Sequence, residues 1–351
     1  MAYRRRLEQD LDRWIAAGHV AGDKRAAILA MVRDGPRIDA ATALAFVGAV
    51  MLGLAMVAFI AANWDGMARL ARLCLVLAAF ALAIGGAAWA AGKARPMLSN
   101  ALSTIAALVF AAGVGLVGQI FDIAGKPGHA LIGAGVGAAL IAGAGRSTGA
   151  AVLSLALLGI GDATAMGDGL WWLLAASALA GLAAWSWRSP ALAQAASLAL
   201  LIGVGWLCAR SDAQAAWFLA AALGAAGAAY LARGRDDGAE GVFSTAYGWA
   251  VWGALIYLVA AGVSGGVTGA AMIPHRLVWL AAAGGAIALG RHDRHAMVTT
   301  AGVLFLIGAV MALLVDLGVD LIAAAGLFFV CALAAMIAGL LLRRAAKEKA
   351  P

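Results

Sequence analysis

Four polar residues stand where apolar runs end: Asn63 and Asp65 after the first run, Gln119 and Asp122 after the third. Carboxylates and amides at the ends of two loops could together hold a cation or a polar headgroup. Asp162, Asp168, Asp212 and His275 lie at corresponding run ends and could join them. A structural role competes with this one. Asp65 is placed to cap the following helix and stands four residues before Arg69, the spacing of an ion pair. A second set lies inside one run, where Trp249 and Trp252 occur with Thr245, Ser244, Tyr247 and Tyr257. A helix so polar and aromatic is expected to face protein or a cavity rather than lipid, which makes Thr245, Trp249 and Trp252 candidates for a cavity wall.

Other chemistry is harder to build. No Asp, Glu, Lys or Arg lies near the middle of an apolar run, and a charge there costs at least about 2.5 kcal/mol. Proton-coupled transport through a buried carboxylate is therefore disfavoured. Gln194, Ser103 and Thr104 remain as neutral groups suited to bonds between helices. His292 and His295 fall in the cationic connector 291–295, which offers too few neutral ligands for a metal and reads as a solvated anchor. Cys74, Cys208 and Cys331 are widely spaced in apolar runs and read as small core residues. No phosphate-binding glycine loop, nucleophile elbow or zinc motif is present, and no long polar loop could house a catalytic domain. The expectation is a protein that is not an enzyme and needs no cofactor or metal.

The elements that carry these residues follow from composition. Of 351 residues, 64% are hydrophobic and 12% charged, against about 45–50% and about 25% in soluble domains. The runs are apolar on all faces, which fits transmembrane helices and not the alternation of a β-barrel. A span needs about 20 such residues. The fold class is all-α: a polytopic transmembrane helical bundle of about 12 spans with a short N-terminal cytoplasmic helical hairpin. Spans are expected near 41–62, 69–91, 99–120, 129–145, 148–164, 169–187, 190–209, 213–232, 242–263, 273–290, 296–315 and 320–342. The count falls to ten if the glycine-rich fourth and fifth runs do not cross, and the tenth contains Pro274. Three regions result: a cytoplasmic hairpin at 1–38, a transmembrane domain at 39–343 and a basic tail at 344–351.

Charge orients the chain. With the N-terminus inside, twenty Lys and Arg residues fall on the cytoplasmic side and five outside, as the retention of basic residues in the cytoplasm requires. The net charge of +7 is thus a topology signal, and no nucleic-acid partner is expected. Most tryptophans lie near span ends, at headgroup level. No cleavable leader is expected, because the first apolar run begins only near Ala40, and that run is expected to act as its own insertion signal. Before it, Leu7, Leu11, Trp14 and Ile15 share one face of a helix that Gly18 should end, and a second short helix carries Ile28, Met31 and Val32. Two such stripes can cover each other, the bilayer surface or a partner, so residues 1–35 are a candidate surface for a cytoplasmic protein or for self-association. No internal sequence repeat is evident, and the 46 glycines make small-residue pairs too common to specify packing.

That opening helix, the segment Ala61, Ala62, Asn63, Trp64, Asp65, and Gly118, Gln119, Ile120, Phe121 with Gly125 resemble domain of unknown function family 2157. The resemblance covers roughly the first 150 residues. It departs at Ala21 and Gly22, where Ser or Thr followed by Pro is expected, and in the fourth span, which lacks a tryptophan. It implies a multi-pass protein of the bacterial inner membrane and carries no catalytic residues. A permease or flippase-like protein for a small or lipid-linked substrate fits the span number, although connector 92–98 lacks the basic and acidic signature of major-facilitator transporters. A non-transporting scaffold or sensor that uses its N-terminal hairpin is the alternative, and a membrane-surface enzyme a weaker third.

Overall fold

The computed structural model describes residues 2–31, 66–121, 125–165, 170–235, 241–266 and 268–318, together with 326 and 329. The chain divides into two compact units, Met1–Ala68 and Arg69–Pro351. The runs at 41–62 and 320–342, and the basic tail, lie outside the described residues apart from positions 326 and 329.

In the first unit, α1 (Ala2–Ala16) and α2 (Lys24–Met31) are joined by a turn. Gly18, at φ 73°, ends α1 where the sequence places a stop, and the next amide, His19 N–H, donates back to Trp14 C=O at 2.9 Å. Arg25 Nε donates to Asp12 Oδ1 at 2.9 Å, tying the two helices. Leu11 and Leu29 are buried, while Trp14 remains 45% exposed.

The second unit contains α3 (Arg69–Gly92), α4 (Pro96–Ile120), α5 (Pro127–Gly145), α6 (Thr148–Thr164) and α7 (Trp171–Trp187). It continues with α8 (Pro190–Arg210), α9 (Gln214–Ala232) and α10 (Val242–Ser264). A 3-10 turn at Gly269–Met272 precedes α11 (Ile273–His292) and α12 (Ala296–Asp316). No strand occurs among the described residues. Eight of these helices are long and apolar enough to cross a membrane; α6 and α7, at 17 residues each, are shorter. The tenth run forms despite Pro274 because that proline falls in the first turn of α11, where its missing N–H is not needed. Pro96, Pro127 and Pro190 open α4, α5 and α8 in the same way.

Consecutive helices pair as hairpins: α3 with α4, α5 with α6, α7 with α8, α9 with α10 and α11 with α12. The second helices of the hairpins, α4, α6, α8, α10 and α12, then pack on one another in series. Alanine dominates the buried positions of the unit, so backbones approach closely, as membrane helices without a hydrophobic drive between them must.

The sequence shows no repeat, yet four of the five hairpin turns share one geometry. Ala94, Arg146, Arg188 and Arg294 adopt φ of 53°, 46°, 54° and 52°. In each turn the next residue closes the finished helix: Arg95, Ser147, Ser189 and His295 donate their N–H to Ala90, Ala142, Ala184 and Gly290 C=O at 2.8–3.0 Å. That same residue is the N-cap of the following helix. One residue thus ends one helix and starts the next.

Candidate functional site

Of the four run-end residues, Asn63, Asp65 and Asp122 lie outside the described residues. Gln119 is exposed in the last turn of α4. Among their companions, Asp168 also lies outside, and Asp212 is exposed in the turn before α9. Asp162 is buried, and its Oδ2 accepts from Leu173 N–H at 2.9 Å. It caps the first turn of α7 from the end of α6, a structural use of a carboxylate that needs no ligand.

The aromatic helix α10 is the most buried of the eight long apolar helices. Trp249 Nε1 donates to Gln194 Oε1, joining α10 to α8. Trp252 Nε1 donates to Met297 C=O at 3.2 Å, and its ring meets Phe305 edge-on with centroids 5.7 Å apart. Thr245 is half-buried in the first turn. Trp249, but not Trp252, lines a cleft of about 400 Å³ between α8, α9 and α10. Its walls are apolar, from Ala232 and Ala246 at one end to Val204 and Tyr257 deeper in. The polar groups on it are largely satisfied internally, since Tyr257 O–H donates to Leu201 C=O at 2.7 Å. Such a cleft suits hydrocarbon and offers little to a hydrated solute.

Polar bonds instead collect at the basic end, where the repeated turns lie. Ser147 Oγ donates to Asn100 Oδ1 at 2.8 Å, linking the start of α6 to α4. Thr148 and Ser189 hydroxyls lie 3.2 Å apart and link α6 to the start of α8. His295, the N-cap of α12, accepts from Val298 N–H through Nδ1 at 3.4 Å. The ring proton is then on Nε2, which lies 3.0 Å from Ser244 C=O at the start of α10. In three places, therefore, the cap of the second helix of one hairpin is held near the start of the second helix of the hairpin before it.

The strongest node sits beside that last contact. Arg233 donates through Nε and Nη2 to both oxygens of Asp293 at 2.8 Å, and Tyr247 O–H donates to the same carboxylate at 2.8 Å. The Asp293 side chain is 18% exposed. Connector 291–295 is thus not simply solvated: Asp293 and His295 tie α11 and α12 to α9 and α10. Sequence reading grouped these residues as topology anchors, because nothing local reveals a partner sixty residues away.

Residues 12–151 match a known family. The family is DUF2157, to which this stretch is similar. DUF2157 is described as predicted membrane protein, in keeping with the long apolar helices α3, α4 and α5 that the segment contains. No curated protein and no solved structure matches the chain. The matched stretch includes Asn100 and Ser147, while the cleft at α8–α10 and the Asp293 node lie beyond it.

The node gives a pH prediction. Hydrogen bonds from Arg233 hold Asp293 below the usual carboxylate range against the opposing effect of partial burial, with the Tyr247 bond and the Arg233 charge adding to them. A lowered folded value contributes stability above about pH 4, where the unfolded Asp is ionised, and loses it as pH falls through that folded value. Wild type is therefore expected to melt above Asp293→Asn at pH 7 in detergent. The gap should close as the pH is taken from about 4 downwards; a gap independent of pH would exclude this role for the carboxylate.

Proposed function

We propose that the chain is a twelve-span inner-membrane protein with both termini cytoplasmic, acting as a flippase-like carrier of an amphiphile with a hydrocarbon tail rather than as an enzyme. The orientation rests on the distribution of basic residues. The observation that carries the activity is the cleft between α8, α9 and α10, about 400 Å³ with apolar walls. A tail can lie in it while the headgroup passes at the bundle surface. The Gln194–Trp249 pair lies near the basic end of this cleft, where a polar group of the substrate could exchange for one partner. A small hydrophilic solute fits these walls poorly.

The test is lipid movement between leaflets. Liposomes containing the purified full chain and a fluorescent phospholipid are treated with a reductant that bleaches the outer leaflet only. Protein-dependent bleaching of inner-leaflet probe is expected, and Ala228→Phe, which fills the cleft from an exposed position on α9, should slow it several-fold without lowering the melting temperature. Bleaching no greater than in protein-free vesicles would end this reading.

A scaffold or sensor reading draws on the N-terminal unit, where the exposed Trp14 ring stands on a helix tied by Arg25 and Asp12. Removal of residues 1–35 should then abolish capture of a cytoplasmic partner or self-association while leaving lipid movement intact.

A further inference from the structure

A second cleft lies between α5, α6 and α7, also about 400 Å³, distinct from the one proposed for transport. Helices α5 and α7 both pack on α6, and the cleft opens between them with α6 as its floor. Ala139 and Gly143 on α5, Ala151 on α6 and Ala176 on α7 line it, and small side chains keep it open. Trp172 and Trp187 stand on it at the two ends of α7. That stretch of helix is about 22 Å long at 1.5 Å per residue, more than the roughly 15 Å of hydrocarbon in one leaflet. An apolar slot of this length, in a membrane protein, accommodates a single acyl chain.

The basic end of the slot supplies the second half of a ligand site. Both wall helices end there in a left-handed arginine: Arg146 after α5 and Arg188 after α7, at φ 46° and 54°. Glycine is the residue such positions favour, so each arginine is kept at a backbone disadvantage. The Thr148–Ser189 contact at 3.2 Å joins the two turns and brings both cations to one mouth. Arg146 is exposed at that mouth. Guanidinium groups bind phosphate through paired N–H bonds.

We propose that the cleft between α5, α6 and α7 binds an anionic phospholipid, with one acyl chain in the slot and the phosphate and headgroup held at its mouth by Arg146 and Arg188. Charge complementarity selects an anionic headgroup over a zwitterionic one of the same acyl composition.

The full chain in detergent is titrated with phosphatidylglycerol and with phosphatidylcholine of matched chains, and bound lipid is counted by native mass spectrometry. Phosphatidylglycerol is expected to bind about tenfold more tightly, equivalent to about 1.4 kcal/mol. The Arg146→Gly, Arg188→Gly double variant should lose that preference while the chain stays folded, because glycine suits both backbones. The corresponding double lysine variant should recover most of it. Ala139→Phe, in the slot at an exposed position, should weaken both lipids. Equal binding of the two lipids by wild type, or a preference that survives the glycine variant, overturns the proposal. So does binding of both lipids that Ala139→Phe leaves undiminished, since the acyl chain would then lie elsewhere. Failure of leaflet exchange at the other cleft does not bear on this result.

Discussion

Asp316→Ala is expected to destabilise the protein by about 1–3 kcal/mol, because it leaves the other member of a largely buried, hydrogen-bonded ion pair alone. Arg276 Nε donates to Asp316 Oδ2 at 2.7 Å, with side chains 11% and 12% exposed. Neither charge is helped by its own helix. Arg276 stands in the first turn of α11, at the positive end of the dipole, and Asp316 is the last residue of α12, at the negative end. Each is tolerated because the other is present, and the Arg276 guanidinium also lies 5.7 Å from the centre of the Trp279 ring. Unfolding by denaturant in mixed micelles measures the loss. Arg276→Met with Asp316→Leu should recover most of it, since an apolar pair of similar size removes both desolvation penalties. The double-mutant cycle isolates the coupling. A single-variant loss within about 0.5 kcal/mol, the range of ordinary surface changes, would show that the pair is screened and structurally idle.

Helix positions are legible in this sequence because bilayer thickness fixes the length of an apolar run. The expected spans at 148–164 and 190–209 appear as Thr148–Thr164 and Pro190–Arg210, and the other described helices agree to within three residues at each end. Packing partners are not legible. Helices such as α5 and α8 are apolar all round, so no stripe announces the face that α6 or α10 will cover. The repeated turn also escapes notice, because its left-handed residue is Ala94 in one copy and arginine in three others, at unequal spacing. Thr245, Trp249 and Trp252 stood out by composition. Only geometry separates Trp249, on the cleft, from Trp252, which is spent on Met297 and Phe305. The run-end cluster fares differently, since three of its four members lie outside the described residues and Gln119 is exposed.

Close backbone contact between α11 and α12 predicts the other large effect. A side chain at Gly302 of α12 would place its Cβ 2.6 Å from Ile287 N and 2.8 Å from Ala283 O of α11. At Gly290 of α11, the Cβ would lie 2.5 Å from Thr299 N of α12. These are backbone atoms, so no rotamer change relieves the clash and the helices must part. Gly302→Ala is expected to cost about 1–3 kcal/mol, and Gly302→Leu more, as overpacking does. Gly284 and Gly285, on the same helix as Gly290, have nothing within 4 Å of an added Cβ. Alanine there should be neutral or stabilising by up to about 1 kcal/mol, the helix-propensity gain. Measured side by side in one detergent, the two substitutions must therefore differ in sign or nearly so. Equal effects would mean that α11 and α12 are not in backbone contact. Because the turn of this hairpin carries Asp293 and His295, Gly302→Leu should also weaken the pH-dependent contribution of Asp293, linking the hairpin's packing to the polar node that anchors it to α9 and α10.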